Sequence, residues 1–150
     1  AQARARYPQL RFEAAALPAL AGLPEADFDN VEVARWLAGL LREARVTEPA
    51  TVRPVYQRIV AIDPFDADAH AALGRLAMQA DQPEVAIREF KAVVALKPVD
   101  HAAAYTDLAE SYYRSGRRPE ARRQTLAALE IAPSYERAQD LLLKLAEGRP

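Results

Sequence analysis

Two histidines, His70 and His101, are the residues best suited to acid–base or metal chemistry in this 150-residue chain. A general base must be oriented by a partner within hydrogen-bond reach, and a metal needs three or four converging ligands. His101 sits beside Asp100, and His70 follows Asp66 and Asp68. These groups are merely neighbours along the chain. The carboxylates suit helix N-termini, where negative charge offsets the helix dipole. The chain has no HExxH, no glycine-rich phosphate loop and no Gly-x-Ser-x-Gly. Without cysteine there are no disulfides, thiolate metal sites or cysteine nucleophiles, and five glycines leave little material for tight substrate loops. The expectation is a chain with no catalytic residues, no metal ligands and no cofactor.

Arg117, Arg118, Arg122 and Arg123 form the densest basic cluster, suited to a phosphate or an acidic partner. No run of aromatics accompanies them, so single-stranded nucleic acid would find no stacking platform. The competing reading is a solvated turn and outer helix face, with Glu120 and Glu130 nearby. A net charge of −1 gives no global pull toward nucleic acid or an anionic membrane. No stretch approaches the roughly 20 apolar residues of a membrane span. A soluble chain is expected, with cytoplasm and periplasm both open. Seventeen arginines against three lysines fit GC-rich, bacterial coding. The start, Ala-Gln-Ala without Met, reads as a chain cut from a longer one, with a mature end left by signal-peptide removal as the alternative, and Ala146 to Pro150 reads as a terminus.

The elements that carry these residues are marked by proline. Ala61-Ile62-Asp63-Pro64, Ala95-Leu96-Lys97-Pro98 and Glu130-Ile131-Ala132-Pro133 are near copies, 34 and 35 residues apart. Gly74 moves in step with Ala109, and Ala86 with Ala121. Such a period, built from two helical stretches, predicts a helical repeat array. Asp66 caps a helix to about Ala80, with Ala69, Ala72, Leu73, Leu76 and Ala77 on its apolar face. Pro83 opens a second helix through Val85, Ala86, Phe90, Val93, Val94 and Leu96. Asp100 caps the next, through Tyr105, Leu108, Ala109 and Tyr112. Gly116 then supplies a left-handed stop, and Pro119 opens its partner. Ser134 caps a last helix over 135–147 that ends at Gly148. Upstream, Asp29-Asn30-Val31-Glu32 resembles a capping box before Trp36, Leu37, Leu40 and Leu41. A second helix follows over Val52–Ile62, with Pro54 in its first turn. Residues 8–17 predict one more short helix, and Pro18, Gly22 and Pro24 a loop.

The pattern resembles the tetratricopeptide repeat family over about 31–147, most strongly over 66–133. One unit carries His70, Leu73, Gly74, Ala77, Ala86, Phe90, Val93 and Pro98. The next carries Tyr105, Leu108, Ala109, Tyr112, Gly116, Ala121, Thr125, Ala128 and Pro133. An upstream unit is blurred, with Trp36, Gly39, Val52, Tyr56, Ile59 and Pro64, and with Leu40 at the small-residue position. The resemblance implies an all-α fold, a right-handed superhelix of antiparallel helix pairs with a C-terminal capping helix. The expected organisation is an N-terminal helix and loop over 1–28, then the repeat domain over 29–150. Its parts are a degenerate repeat (29–64), two clear repeats (66–98 and 100–133) and the cap (135–147). His70 falls at the family's large-residue position, which implies packing rather than ligation. Small residues at 74, 109, 86 and 121 let the helices cross closely, and about three units are needed before such a stack is stable.

The resemblance further implies that the first helices of the units line a concave groove. That places Leu37, Leu41 and Ala44 there, with Asp68, Ala71, Arg75, Met78 and Gln79, and then Thr106, Asp107, Glu110, Tyr113 and Arg114. The expected work is protein–protein interaction, a peptide or protein segment held in that groove without catalysis. Neither nucleic acid nor membrane is expected as a partner, and homodimerisation through Leu37, Leu41 or Leu141–Leu143 stays open. So does the alternative of a non-catalytic C-terminal array of a larger, peptidase-like bacterial enzyme. A carboxylate clamp like that of chaperone-binding members is not expected. Asn30, the only asparagine, lies outside both clear units, and their first helices carry no lysine.

Overall fold

The computed structural model describes residues 31–147, and every regular element among them is a helix. In chain order these are α1 (Val31–Glu43), α2 (Pro49–Ile62), α3 (Ala67–Gln79), α4 (Pro83–Ala95), α5 (His101–Arg114), α6 (Arg118–Ile131) and α7 (Glu136–Glu147). The expected helix over 8–17, the loop after it, the Asp29-Asn30 end of the capping box and the Gly148 stop lie outside the described residues. The starts follow the sequence signals. Asp66 Oδ1 accepts the Ala69 N–H at 2.9 Å and Asp100 Oδ1 accepts the Ala103 N–H at 2.9 Å, each satisfying a first-turn donor. Pro49, Pro83 and Pro119 fall in the first two helical positions, where a missing N–H costs nothing. At α7 the carbonyl of Tyr135 takes the N–H groups of Ala138 and Gln139, and the helix begins at Glu136.

Three helices end in one and the same turn. Arg45 (φ 53°), Asp81 (φ 54°) and Gly116 (φ 79°) are left-handed, and the next residue's N–H reaches back to the last turn. Val46 donates to the Leu41 carbonyl, Gln82 to Ala77 and Arg117 to Tyr112, each at 2.9 Å. This is the Schellman termination, and it needs a positive φ that only glycine adopts without cost. The turn was legible at Gly116 alone.

This turn also corrects the alignment of the blurred repeat. Superposing Arg45 on Asp81 sets Val33, Ala34, Leu37, Ala38 and Leu41 against Ala69, His70, Leu73, Gly74 and Ala77, a shift of 36 residues. All five α1 residues are buried. The small-residue position therefore belongs to Ala38, 3% exposed, and not to half-buried Leu40. Counting back 34 residues fails because residues 44–48 join α1 to α2 whereas only 80–82 join α3 to α4, a connection two residues shorter. A second correction concerns Pro54. Because α2 begins at Pro49 and not at Val52, Pro54 lies inside the helix and removes one backbone hydrogen bond from its interior. It sits on an exposed face of α2.

The chain divides within α3 into two compact units, one ending at Ala69 and one starting at His70. In the first, α1 packs on α2, burying Val33, Leu37, Leu41, Val55, Tyr56 and Ile59. Arg35 ties α1 to the end of α2, with Nη2 at 2.6 Å from Asp63 and Nε at 2.8 Å from Asp66. In the second, α5 packs against α4, α6 and α7, and α7 closes on α6. Its core joins Ala77, Ala86, Ile87, Phe90, Val93, Leu108, Ala109, Tyr112, Ala121, Leu141 and Leu145. Ala86, Ala109 and Ala121 are fully buried, as close crossing of antiparallel helices requires. A Cβ added at Gly74 would stand 2.7 Å from Cε1 and Cζ of Phe90, so the ring occupies the space that glycine leaves. Of the three consecutive leucines, Leu141 is buried, Leu142 half-buried and Leu143 61% exposed.

Candidate functional site

In the second unit, one face each of α3, α5 and α7 lines a groove of about 660 Å³. Residues three, four or seven apart share a helix face, and the lining follows that spacing. α3 contributes Arg75, Met78 and Gln79; α5 contributes Asp107, Glu110, Tyr113 and Arg114; α7 contributes Arg137, Leu141 and Lys144. Seven predicted groove residues are therefore brought together here: Arg75, Met78, Gln79, Asp107, Glu110, Tyr113 and Arg114. Leu37, Leu41, Ala44, Asp68, Ala71 and Thr106 are not among its lining. Thr106 is fully buried, its hydroxyl donating to the Ala102 carbonyl at 2.8 Å. Leu37 and Leu41, 2% and 1% exposed, belong to the buried side of α1. Neither their side chains nor that of Thr106 is accessible to a ligand. Ala44 is exposed in the turn after α1.

Most charge in the groove is already spoken for. Arg114 donates from Nη1 to the Met78 carbonyl at 2.8 Å and from Nη2 to Asp81 at 2.7 Å, fastening α5 to the end of α3. A cation over the last carbonyls of α3 also meets the negative end of its dipole. Arg137 Nη2 lies 2.7 Å from Asp107 Oδ1 and 3.0 Å from Glu110 Oε2, so α7 is pinned across α5. Burial works against that guanidinium's charge, but the hydrogen bond to Asp107 and the field of both carboxylates more than compensate and hold it above its ordinary pKa. What remains is Arg75 and Lys144, neither in an ion pair among the described residues, with Met78 and Tyr113 between the polar groups. Phe90, 1% exposed, reaches the floor.

Arg137, Leu141 and Lys144 were missed because α7 was read only as a cap. A signal for them was present. Pro64, Pro98 and Pro133 each stand three residues before a helix, so α7 starts as α3 and α5 do and presents the equivalent face.

His70 lies 9% exposed, its Nδ1 2.8 Å from Oε2 of Glu89, which is 6% exposed. Because a carboxylate only accepts, Nδ1 is the donor. Arg88 donates to the other oxygen, Oε1, at 2.7 and 3.0 Å. A buried pair with its hydrogen bonds made agrees with the packing role read for His70. No cluster of three or more candidate metal ligands occurs among the described residues.

Arg117 leaves the basic cluster. It bonds Glu120 at 3.1 Å, approaches Glu84 at 3.7 Å and lies 4.9 Å from the centre of the Tyr112 ring. The hydrogen bond and nearby carboxylates raise its pKa. Glu120, accepting its own backbone N–H and bonded to Arg117, is lowered below its ordinary value.

Residues 77–145 match the sequence model of the tetratricopeptide repeat. Two crystal structures, titled as MamA and as MamA protein, are similar in fold, each with a TM-score of 0.72 at 25% identity over 83% of this chain. The matched region covers 71% of the first of those chains and 66% of the second. No curated protein matches the chain in sequence. None of the described helices is long and apolar enough to cross a membrane.

Proposed function

We propose, for a chain that belongs to the tetratricopeptide repeat family over residues 77–145, that it is a protein-interaction module whose second unit holds a peptide segment in the α3–α5–α7 groove. One observation carries this reading: among the described residues, the groove's charges are internally matched except at Arg75 and Lys144. Unmatched cations beside Met78 and Tyr113 suit a peptide that offers a carboxylate and a large apolar side chain. Preorganised walls reduce the ordering cost of binding, and the Arg114 and Arg137 bridges supply that rigidity. The reading includes no catalysis by this chain. Asp107 and Glu110 are held by Arg137, and neither histidine lines the groove.

Selection from a random peptide display library with the purified chain as bait tests it. Enriched sequences are expected to carry an acidic residue near an aromatic or long aliphatic one. Their binding should fall at least about tenfold, or 1.4 kcal/mol, in Arg75→Glu/Tyr113→Ala, at unchanged helicity. Equal affinity for that variant removes the groove from the function. Arg114 is unsuitable for charge reversal, because its bonds to the Met78 carbonyl and Asp81 make it part of the scaffold.

A further inference from the structure

With Arg117 withdrawn to Glu120 and the Tyr112 ring, the other three arginines of the cluster face a second surface. Arg118, Arg122 and Arg123 line a shallow depression of about 560 Å³ with Pro119, Leu126 and Leu145. Its walls are α6 and α7, and no carboxylate lines it. Arg118 lies 5.8 Å from the centre of the Tyr113 ring, with one 3.5 Å bond to the Lys144 carbonyl. Arg122 and Arg123 are exposed, with no ion pair among the described residues, and Leu126 is 37% exposed. A solvated helix face ordinarily carries charges of both signs. Arginine alone around leucine is a different pattern.

We propose that the α6–α7 depression docks an acidic amphipathic helix of a partner protein, with aliphatic side chains on Leu126 and Leu145 and carboxylates on Arg118, Arg122 and Arg123. Arg118, Arg122 and Leu126 are successive i, i+4 positions, so the two arginines stand one turn, roughly 6 Å, apart along α6. Glutamates one turn apart on a helix laid alongside meet that spacing, and Arg favours planar, bidentate pairing with carboxylate. The apolar floor favours a helix over a free phosphate, which would leave Leu126 and Leu145 unused. The charge of the depression sets the polarity of the partner and its rate of encounter. This surface is separate from the peptide groove and does not depend on it.

The test uses the whole chain and a fluorescein-labelled 18-residue peptide with leucines at i, i+4, i+7 and i+11 flanked by glutamates, read by anisotropy. Its controls are the same composition scrambled and vesicles of phosphatidylserine with phosphatidylcholine. The amphipathic peptide is expected to bind at least about tenfold tighter than its scramble. That affinity should drop about tenfold or more in Arg122→Glu/Arg123→Glu and about threefold in Leu126→Ser. Arg75→Glu should leave it unchanged, which separates this surface from the groove. Equal binding of peptide and scramble overturns the proposal. So does retained affinity in Arg122→Glu/Arg123→Glu with native circular dichroism, or vesicle binding that those arginines control while the peptide goes unbound.

Discussion

The α3–α4 and α5–α6 hairpins solve the same packing problem with opposite choices. In the first, Gly74 faces Phe90, and the ring fills the space of the missing Cβ. In the second, the corresponding residues 35 positions on are Ala109 and Thr125, both fully buried, the threonine hydroxyl donating to the Ala121 carbonyl at 2.8 Å. One side lacks a Cβ and the other supplies a ring, or both sides are small. The first hairpin also buries His70 with Glu89, where the second has half-buried Tyr105 and Gln124. The repeat therefore accepts different residue pairs across the helix crossing, provided that each side fits the space the other leaves. A polar pair is admitted only where both members find partners.

Breaking that volume match has the largest expected effect. Phe90→Thr imports the second hairpin's residue opposite a glycine, and the resulting void should cost about 3–5 kcal/mol in urea unfolding. Gly74→Ala alone should cost about 1–3 kcal/mol through overpacking, although alanine is the better helix former. In the Phe90→Thr background the same change should become neutral or stabilising. Additive effects in this cycle would mean that the two positions do not share one volume.

The polar contrast comes next. Glu89→Ala removes the buried acceptor of His70 Nδ1 and should lower stability by about 2 kcal/mol, whereas Gln124→Ala should stay within about 0.5 kcal/mol. Equal costs would show that the buried pair is not what distinguishes the hairpins. The turns follow. Gly116→Ala forces an L-residue into the left-handed region and should cost about 1 kcal/mol. Asp81→Gly should raise the melting temperature slightly, the relief of the same strain being partly offset by the lost Arg114 contact. The smallest effect concerns pH. Glu120 is lowered below its ordinary value of 4.5 in the folded chain. Its stabilising contribution is thus present above pH 4.5 and lost as pH falls through the lower folded value. Glu120→Gln should flatten the dependence of the urea midpoint on pH over that range.

Much of this architecture was legible. The proline-terminated phrases located the repeats. The small residues at 74, 86, 109 and 121 marked the crossings, and Asp66 and Asp100 marked helix starts, because each signal acts within a turn or two of chain. The groove was only partly legible. The resemblance implied Arg75, Met78, Gln79, Asp107, Glu110, Tyr113 and Arg114, which line the groove, and equally Thr106, Leu37 and Leu41, which are buried. Spacing says which residues share a face, but burial depends on what other helices bring against it. Thr106 reads as polar lining, yet its hydroxyl is satisfied within its own helix, at the Ala102 carbonyl, and can be buried at little cost.

Period, helix starts and the choice of small residues were set by the amino-acid order itself, because they rest on interactions within a single helix or hairpin. The two extra residues between α1 and α2, which follow the same left-handed turn that Asp81 makes after α3, became visible only in three dimensions and moved the small-residue position to Ala38. The division of the arginines was likewise decided by tertiary contact. Arg114 and Arg137 became struts and Arg117 a ring-stacked anchor, while Arg75, Arg122 and Arg123 have no ion pair among the described residues. Every guanidinium carries the same charge, and only the carboxylates, carbonyls and rings that folding brings within about 3–6 Å determine which of them can still bind something else.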